Sequence, residues 1–135
     1  MSWQAYVDNN LVGTGSITKA AIYGAQGGVW AASPGFALQG NELETLIRAY
    51  QDPTDIRTNG LHIGGVKYFA LNADQRSIYG KQGAGGVVCV KTAQAILIGL
   101  YGDGIAPGEA TKVVEVLADY LISVGYVSDF PPFFN

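Results

Sequence analysis

Apolar positions along the chain change their period several times, and each change marks an element. In residues 3–12, Trp3, Tyr6, Val7 and Leu11 recur at near-helical spacing. Ser2 stands where a helix cap belongs, and Gly13 and Gly15 follow as terminators. Residues 17–23 and 28–33 form two short apolar runs joined by Gly24-Ala25-Gln26-Gly27, the pattern of a β-hairpin. Asn41 to Tyr50 returns to the helical period. Asn41 is its expected cap, Glu42 and Glu44 sit at the favourable end of the helix dipole, and Leu43, Leu46, Ile47 and Tyr50 share a face. Asp52-Pro53 ends that helix or starts a short irregular helical turn. Five further apolar runs follow, at 61–63, 66–72, 76–80, 86–92 and 95–101, divided by glycine pairs or by polar residues as in an antiparallel meander. A last helix is predicted over Glu109 to Val124, opened by Pro107-Gly108 and closed by Gly125. Its apolar stripe is Val113, Leu117, Tyr120, Leu121 and Val124. Helix, two strands, helix, meander, helix is the order of an α+β fold, an antiparallel sheet with helices packed on it.

The chain has 135 residues, of which 48% are hydrophobic and 14% charged, enough apolar material for one core and too little charge for a disordered chain. No run of about 18 apolar residues exists to form a membrane-spanning helix. The first fifteen residues hold Asp8, Asn9 and Asn10 and no basic cluster, so a secretory signal is not expected. Cys89 is the one cysteine and makes no internal disulfide, which fits a reducing compartment. A cytoplasmic, single-domain protein is the expectation.

Net charge is −3, against the basic footprint of a nucleic-acid binder. The charge is uneven. Between Gly60 and Leu100, Lys67, Arg76, Lys81 and Lys91 face Asp74 alone, a local excess of three cations. Solvated strand faces are the ordinary reading of such a segment, and a local basic surface for an acidic partner is the sharper one.

Catalytic chemistry is sparse. His62 is the single histidine and lies in a strand-like run without triad neighbours, so a structural or surface role is expected. Cys89, within Val87-Val88-Cys89-Val90, reads as a small buried hydrophobe. One Cys and one His cannot supply a structural zinc set. Asp52, Asp55, Asp74 and Asp103 fall where turns are predicted. The Gly80 to Gly86 stretch contains Lys81 but leads to a strand, not to the helix that a phosphate-binding loop requires, and so reads as a hairpin. No cofactor, metal or catalytic residue is implied.

The aromatic residues say more. Trp3 and Tyr6 are three apart on the first helix, Tyr120 and Tyr126 lie near the far end of the chain, and Trp30 is on an early strand. Side-by-side terminal helices would bring Trp3, Tyr6, Tyr120 and Tyr126 together. Rings with NH and OH handles suit both core packing and a groove for a polyproline II segment.

Ser2-Trp3-Gln4-Ala5-Tyr6-Val7-Asp8 with Leu11-Val12-Gly13-Thr14-Gly15 resembles the N-terminal signature of profilins. Gly28-Val29-Trp30-Ala31-Ala32-Ser33, Arg76-Ser77-Ile78-Tyr79-Gly80-Lys81, Val90-Lys91-Thr92, Pro107-Gly108 and Leu117-Ala118-Asp119-Tyr120-Leu121 extend the resemblance to Tyr126. It is strongest to the short profilins of amoebae and other unicellular eukaryotes. The resemblance implies a central antiparallel sheet with the terminal helices on one face and shorter helices on the other. It implies binding of monomeric actin, promotion of actin nucleotide exchange, and delivery of actin to proline-rich assembly factors such as formins. It further implies phosphoinositide binding at membrane surfaces and a mainly monomeric cytoplasmic and cytoskeletal protein. The polyproline site would be Trp3, Tyr6, Trp30, Tyr120 and Tyr126. The actin site would be Lys67, Arg76, Lys81, Lys91, Gly108 and Lys112, with Val113 and Val116 as apolar contacts. Residues 1–126 form the implied domain. Residues 127–135, with Phe130-Pro131-Pro132-Phe133-Phe134, depart from the pattern and resemble a short proline ligand flanked by aromatic rings. A sensor or trafficking module of similar size would instead need an internal ligand pocket, and an enzyme would need a nucleophile and a base.

Overall fold

A computed structural model describes residues 2–125. The N-terminal helix begins as a turn of α-helix, α1 (Trp3–Ala5), with the Ser2 hydroxyl accepting from the Ala5 N–H at 3.0 Å. It widens into a π-helical stretch over Tyr6–Leu11, where the Val12 N–H reaches back to the Val7 carbonyl, and tightens to a 3₁₀ turn at Val12–Thr14. The helical period in the sequence is therefore real but not uniformly α. Seven strands follow in one antiparallel sheet: β1 (Lys19–Gly24), β2 (Val29–Ala32), β3 (Leu61–Ile63), β4 (Val66–Ala73), β5 (Ser77–Gln82), β6 (Gly85–Lys91) and β7 (Ala95–Tyr101), in the spatial order β2-β1-β7-β6-β5-β4-β3. Between β2 and β3 run α2 (Glu42–Ala49) and α3 (Thr54–Asn59), and α4 (Pro107–Val124) closes the described chain.

Alternating side chains on the central strands fill two cores. Val88, Val90 and Leu97 point to the face covered by the N-terminal helix and α4, where Trp3, Tyr6, Leu11, Val114 and Leu121 meet them. Cys89, Ile96 and Ile98 point to the other face, where Leu46 of α2, Tyr50 at its C-terminal cap and Ile56 of α3 pack. The terminal helices thus share one face and the short helices the other, as the resemblance implies.

Three local readings change. The α4 stripe in contact with the sheet is Ala110, Val114, Leu117, Ala118 and Leu121, whereas Val113 and Tyr120 sit at its margin and Val124 is exposed. Small residues decide this. At Gly99 of β7 a side chain would collide with Ile17 and Val114 at 2.9 Å, so glycine there and alanines on the helix let α4 settle close to the strand. Asn41 makes no side-chain cap. Glu42 is not a solvated dipole partner but is buried, its carboxylate accepting from the N–H groups of Gln39 at 2.9 Å, Gly64 at 2.7 Å and Gly65 at 2.9 Å. It ties the start of α2 to the β3–β4 turn. Asp55 lies within α3, not in a turn, while Asp52 and Asp74 do bend backbone, accepting from the N–H groups of Thr54 and of Arg76 and Ser77.

At the open edge of β2 the Gln4 side-chain amide pairs with Ala32, donating to its carbonyl at 3.0 Å and accepting from its N–H at 3.4 Å. This fixes the N-terminal helix against the hairpin.

Candidate binding faces

One face gathers aromatic rings. Trp3 stands 5.5 Å from Tyr6 and 5.0 Å from Trp30, centroid to centroid, at tilts of 45° and 41°. Trp3 and Tyr6 are buried and belong to the first core, whereas Trp30 and Tyr120 are half-buried and supply the accessible ring area. Four elements position them: the N-terminal helix, β2, the β1–β2 turn and the second half of α4. The turn is shaped for the indole, because a side chain at Gly24 would lie 2.9 Å from Trp30 Nε1. Beside it opens a pocket of about 280 Å³ bordered by Trp30, Gln26 and Gln94. Tyr126 and residues 127–135 lie outside the described residues.

Burial, then the charge and hydrogen bond of Tyr120, push the Tyr6 hydroxyl up to about 12 from its ordinary 10. The proton is held more tightly folded than unfolded, so this stabilisation is complete below pH 10 and is lost as the pH rises toward 12. Its size is about 2–3 kcal/mol. Urea midpoints at pH 9 and pH 11.5 are expected to show the loss, and Tyr6→Phe to reduce it. An unchanged drop in that variant would remove Tyr6 as its source.

The second face lies toward the other end of the sheet, where β4 and β5 run past the edge of α4. Strand alternation puts Lys67 and Phe69 on this side of β4 and Tyr79 and Lys81 on this side of β5, with Phe69 paired opposite Lys81. Lys67 Nζ lies 5.9 Å from the Phe69 ring centroid. Phe69 is 70% exposed and Leu71, in the β4 bulge, 64%. Val116 and Lys112 stand on the outer crest of α4, and Gly108 in its first turn. Large apolar side chains exposed side by side are a candidate interaction surface.

A carboxylate fastens α4 to β5 beneath that face. Glu115 accepts from Arg76 Nε at 3.0 Å, from the Ser77 hydroxyl at 2.6 Å and from the Tyr79 hydroxyl. Arg76 also reaches Asp119 at 2.7 Å. The hydrogen bond to Asp119 holds the Arg76 guanidinium above its ordinary value, with Glu115 adding to it. Burial, then the bond to Glu115, raises the Tyr79 hydroxyl.

The residues expected for actin are thus divided. Lys67, Lys81, Gly108, Lys112 and Val116 share the β4–β5 side or the α4 crest. Arg76 is committed to two carboxylates of its own chain. Lys91 alternates to the α2–α3 face of β6, with its Nζ 3.3 Å from the Thr92 carbonyl oxygen. Val113 lies on the opposite flank of α4 from Glu115 and packs on the first core, and it lines a groove together with Val116, Leu117, Tyr120 and Asn10, so Val116 borders both this groove and the α4 crest. Phe69, Leu71 and Glu115 were not singled out by sequence reasoning. In Val66 to Leu71 the apolar run hides which residues face water, and only the register against β5 reveals it.

His62 is exposed on β3, and burial pushes the Cys89 thiol far up, away from the nucleophilic thiolate. Among the described residues no group of three or more His, Cys, Asp or Glu side chains is placed to hold a metal ion. One small sheet thus carries an aromatic patch at its β2 end and an apolar, cationic patch at its β4–β5 end. The family profile of profilins matches residues 1–126, and the chain belongs to the profilin family. Profilin-2 of Acanthamoeba castellanii is 54% identical over 126 residues, 93% of this chain and all of that one, and its crystal structure superposes with a TM-score of 0.89. The profilin of Saccharomyces cerevisiae is 53% identical over 127 residues, covering 93% of this chain and all of that one. Mouse profilin IIa, solved in complex with a double repeat from the FH1 domain of mDia1, shares the fold at 23% identity with a TM-score of 0.76, over 93% of this chain and all of that one. Profilins are actin-binding regulators and not enzymes.

Proposed function

We propose that this profilin binds monomeric actin on the β4–β5 and α4 face, promotes exchange of actin's nucleotide, and uses the aromatic face to take proline-rich segments of assembly factors such as formins. The observation that carries the reading is the separation of the two faces to opposite ends of one sheet, which lets both ligands bind at once. Phe69, Leu71 and Val116 supply apolar contact, and Lys67, Lys81 and Lys112 steer an acidic partner. The same cations suit phosphoinositide headgroups in competition with actin. The FH1 complex of the mouse relative supports the proline reading. A cytoplasmic site of action follows from these partners.

The test is a pair of variants. Lys67→Glu with Lys81→Glu is expected to slow actin association about tenfold at low salt while leaving deca-proline binding intact. Arg76 is excluded from this test because a third carboxylate beside Glu115 and Asp119 would disturb the fold. Trp30→Ala is expected to do the reverse, weakening deca-proline binding by about 2 kcal/mol with actin affinity unchanged. Equal loss of both activities in either variant overturns the two-face reading.

A further inference from the structure

We propose that the pocket beside Trp30 is a specificity subsite of the aromatic face, taking the carboxamide side chain of a glutamine or asparagine that flanks the proline run of a ligand. This rests on the reading that the aromatic face takes proline-rich segments. Placement is the first support. Tyr120 meets Tyr6 through its hydroxyl, Tyr6 neighbours Trp3, and Trp3 neighbours Trp30, so the rings form a chain. Trp30 belongs both to that chain and to the wall of the pocket. A polyproline II segment advances about 3.1 Å per residue. With one proline seated on Trp30, the next residue or two outside the run stand at the pocket.

The second support is that the walls are built before any ligand arrives. One wall is the β1–β2 turn, closed by the Gly24 N–H donating to the Gly28 carbonyl at 2.9 Å and the Gly27 N–H to the Gly24 carbonyl at 3.0 Å. The other is the β6–β7 turn at Gln94. The Ala25 N–H donates to the Gln94 carbonyl at 2.9 Å and ties the two turns together. Backbone hydrogen bonds therefore hold open the space of about 280 Å³ between them, and a ligand pays little ordering cost to enter it.

The third is the chemistry of the lining, which selects the occupant. No charged side chain borders the pocket among the described residues, and its polar side chains besides the indole are Gln26 and Gln94. An amide carries both a donor and an acceptor, so two amides can pair through two hydrogen bonds at once. A carboxylate or ammonium entering here would shed water without gaining a counter-charge. A leucine would pack on the indole but would cover the Gln26 amide without replacing the water it gives up. A carboxamide side chain meets both demands: its methylene lies against the Trp30 ring while its amide pairs with that of Gln26.

The full chain is titrated, by tryptophan fluorescence, with proline runs flanked on both sides by glycine, glutamine, glutamate or leucine. Flanking both ends makes the result independent of the direction in which the peptide lies. The glutamine-flanked peptide is expected to bind about three- to tenfold more tightly than the glycine-flanked one, and the glutamate-flanked peptide no more tightly. Gln26 is exposed in its turn, so substitutions there leave the core untouched. Gln26→Ala is expected to abolish the glutamine preference with affinity for the glycine-flanked peptide unchanged, and Gln26→Lys to transfer the preference to glutamate. Equal affinities for glycine and glutamine flanks, or a glutamine preference that survives both substitutions, overturn the subsite and leave the polyproline reading standing. Tightest binding of the leucine-flanked peptide overturns the carboxamide assignment. Failure of the folded chain to bind any of the peptides overturns the polyproline reading, and the subsite with it.

Discussion

Trp3→Ala is expected to melt about 10–15 °C below the parent protein. The indole is 5% exposed and contacts both Tyr6 and Trp30, so truncation leaves a large void where the N-terminal helix meets the sheet. Truncating a buried tryptophan costs about 3–5 kcal/mol, and a domain of this size loses roughly 3–4 °C for each of those. Loss of deca-proline binding in this variant would report an unseated helix as much as a missing contact. Trp30, half-buried, is the cleaner probe of recognition. Thermal melts followed by far-UV circular dichroism decide the point, and a midpoint within about 3 °C of the parent would show that Trp3 is not a core residue.

Glu115→Ala is expected to cost about 2 kcal/mol of stability. Three donors on β5 and the preceding turn, from Arg76, Ser77 and Tyr79, converge on this one carboxylate. Removing the acceptor leaves part-buried donors to find water, while Arg76 keeps Asp119. Glu115→Gln, which retains shape and an acceptor oxygen, is expected to lose about half as much. In a double-mutant cycle with Tyr79→Phe the two changes should couple by about 1 kcal/mol. Strict additivity in urea titrations would show that the hydroxyl and the carboxylate act separately.

Much of the architecture was legible because period and punctuation agree along this chain. Each meander strand sits between glycines or polar turns, so β3 to β7 fall where the apolar runs fall. The last helix is announced by Pro107 and stopped by Gly125. What was hidden depends on partners distant in sequence. Glu42 reads as a helix-dipole carboxylate until Gly64 and Gly65 are seen beside it. The α4 stripe turns by one position because Gly99 and two alanines set the approach to the sheet, a packing choice that apolar spacing does not encode. Side-by-side terminal helices were expected to gather Trp3, Tyr6, Tyr120 and Tyr126; Trp3 and Tyr6 do lie together, with Trp30 beside Trp3, and Tyr126 lies outside the described residues. The basic residues were harder. Charge alone does not distinguish Lys81, which faces water, from Arg76, which its own carboxylates hold.

The pairing of Gln4 with Ala32 bears on self-association. The N–H and carbonyl of Ala32 point away from β1, toward the side of β2 where an eighth strand would add. A side-chain amide carries the same donor and acceptor as a peptide unit, so Gln4 supplies one rung of a ladder that is otherwise unbuilt. Unpaired edges recruit other chains. With the rung occupied by its own helix, the molecule refuses a second copy at that edge. Gln4→Ala is expected to lower the concentration at which the protein aggregates on mild heating, read by light scattering. Unchanged scattering would show that the short length of β2 protects the edge without help.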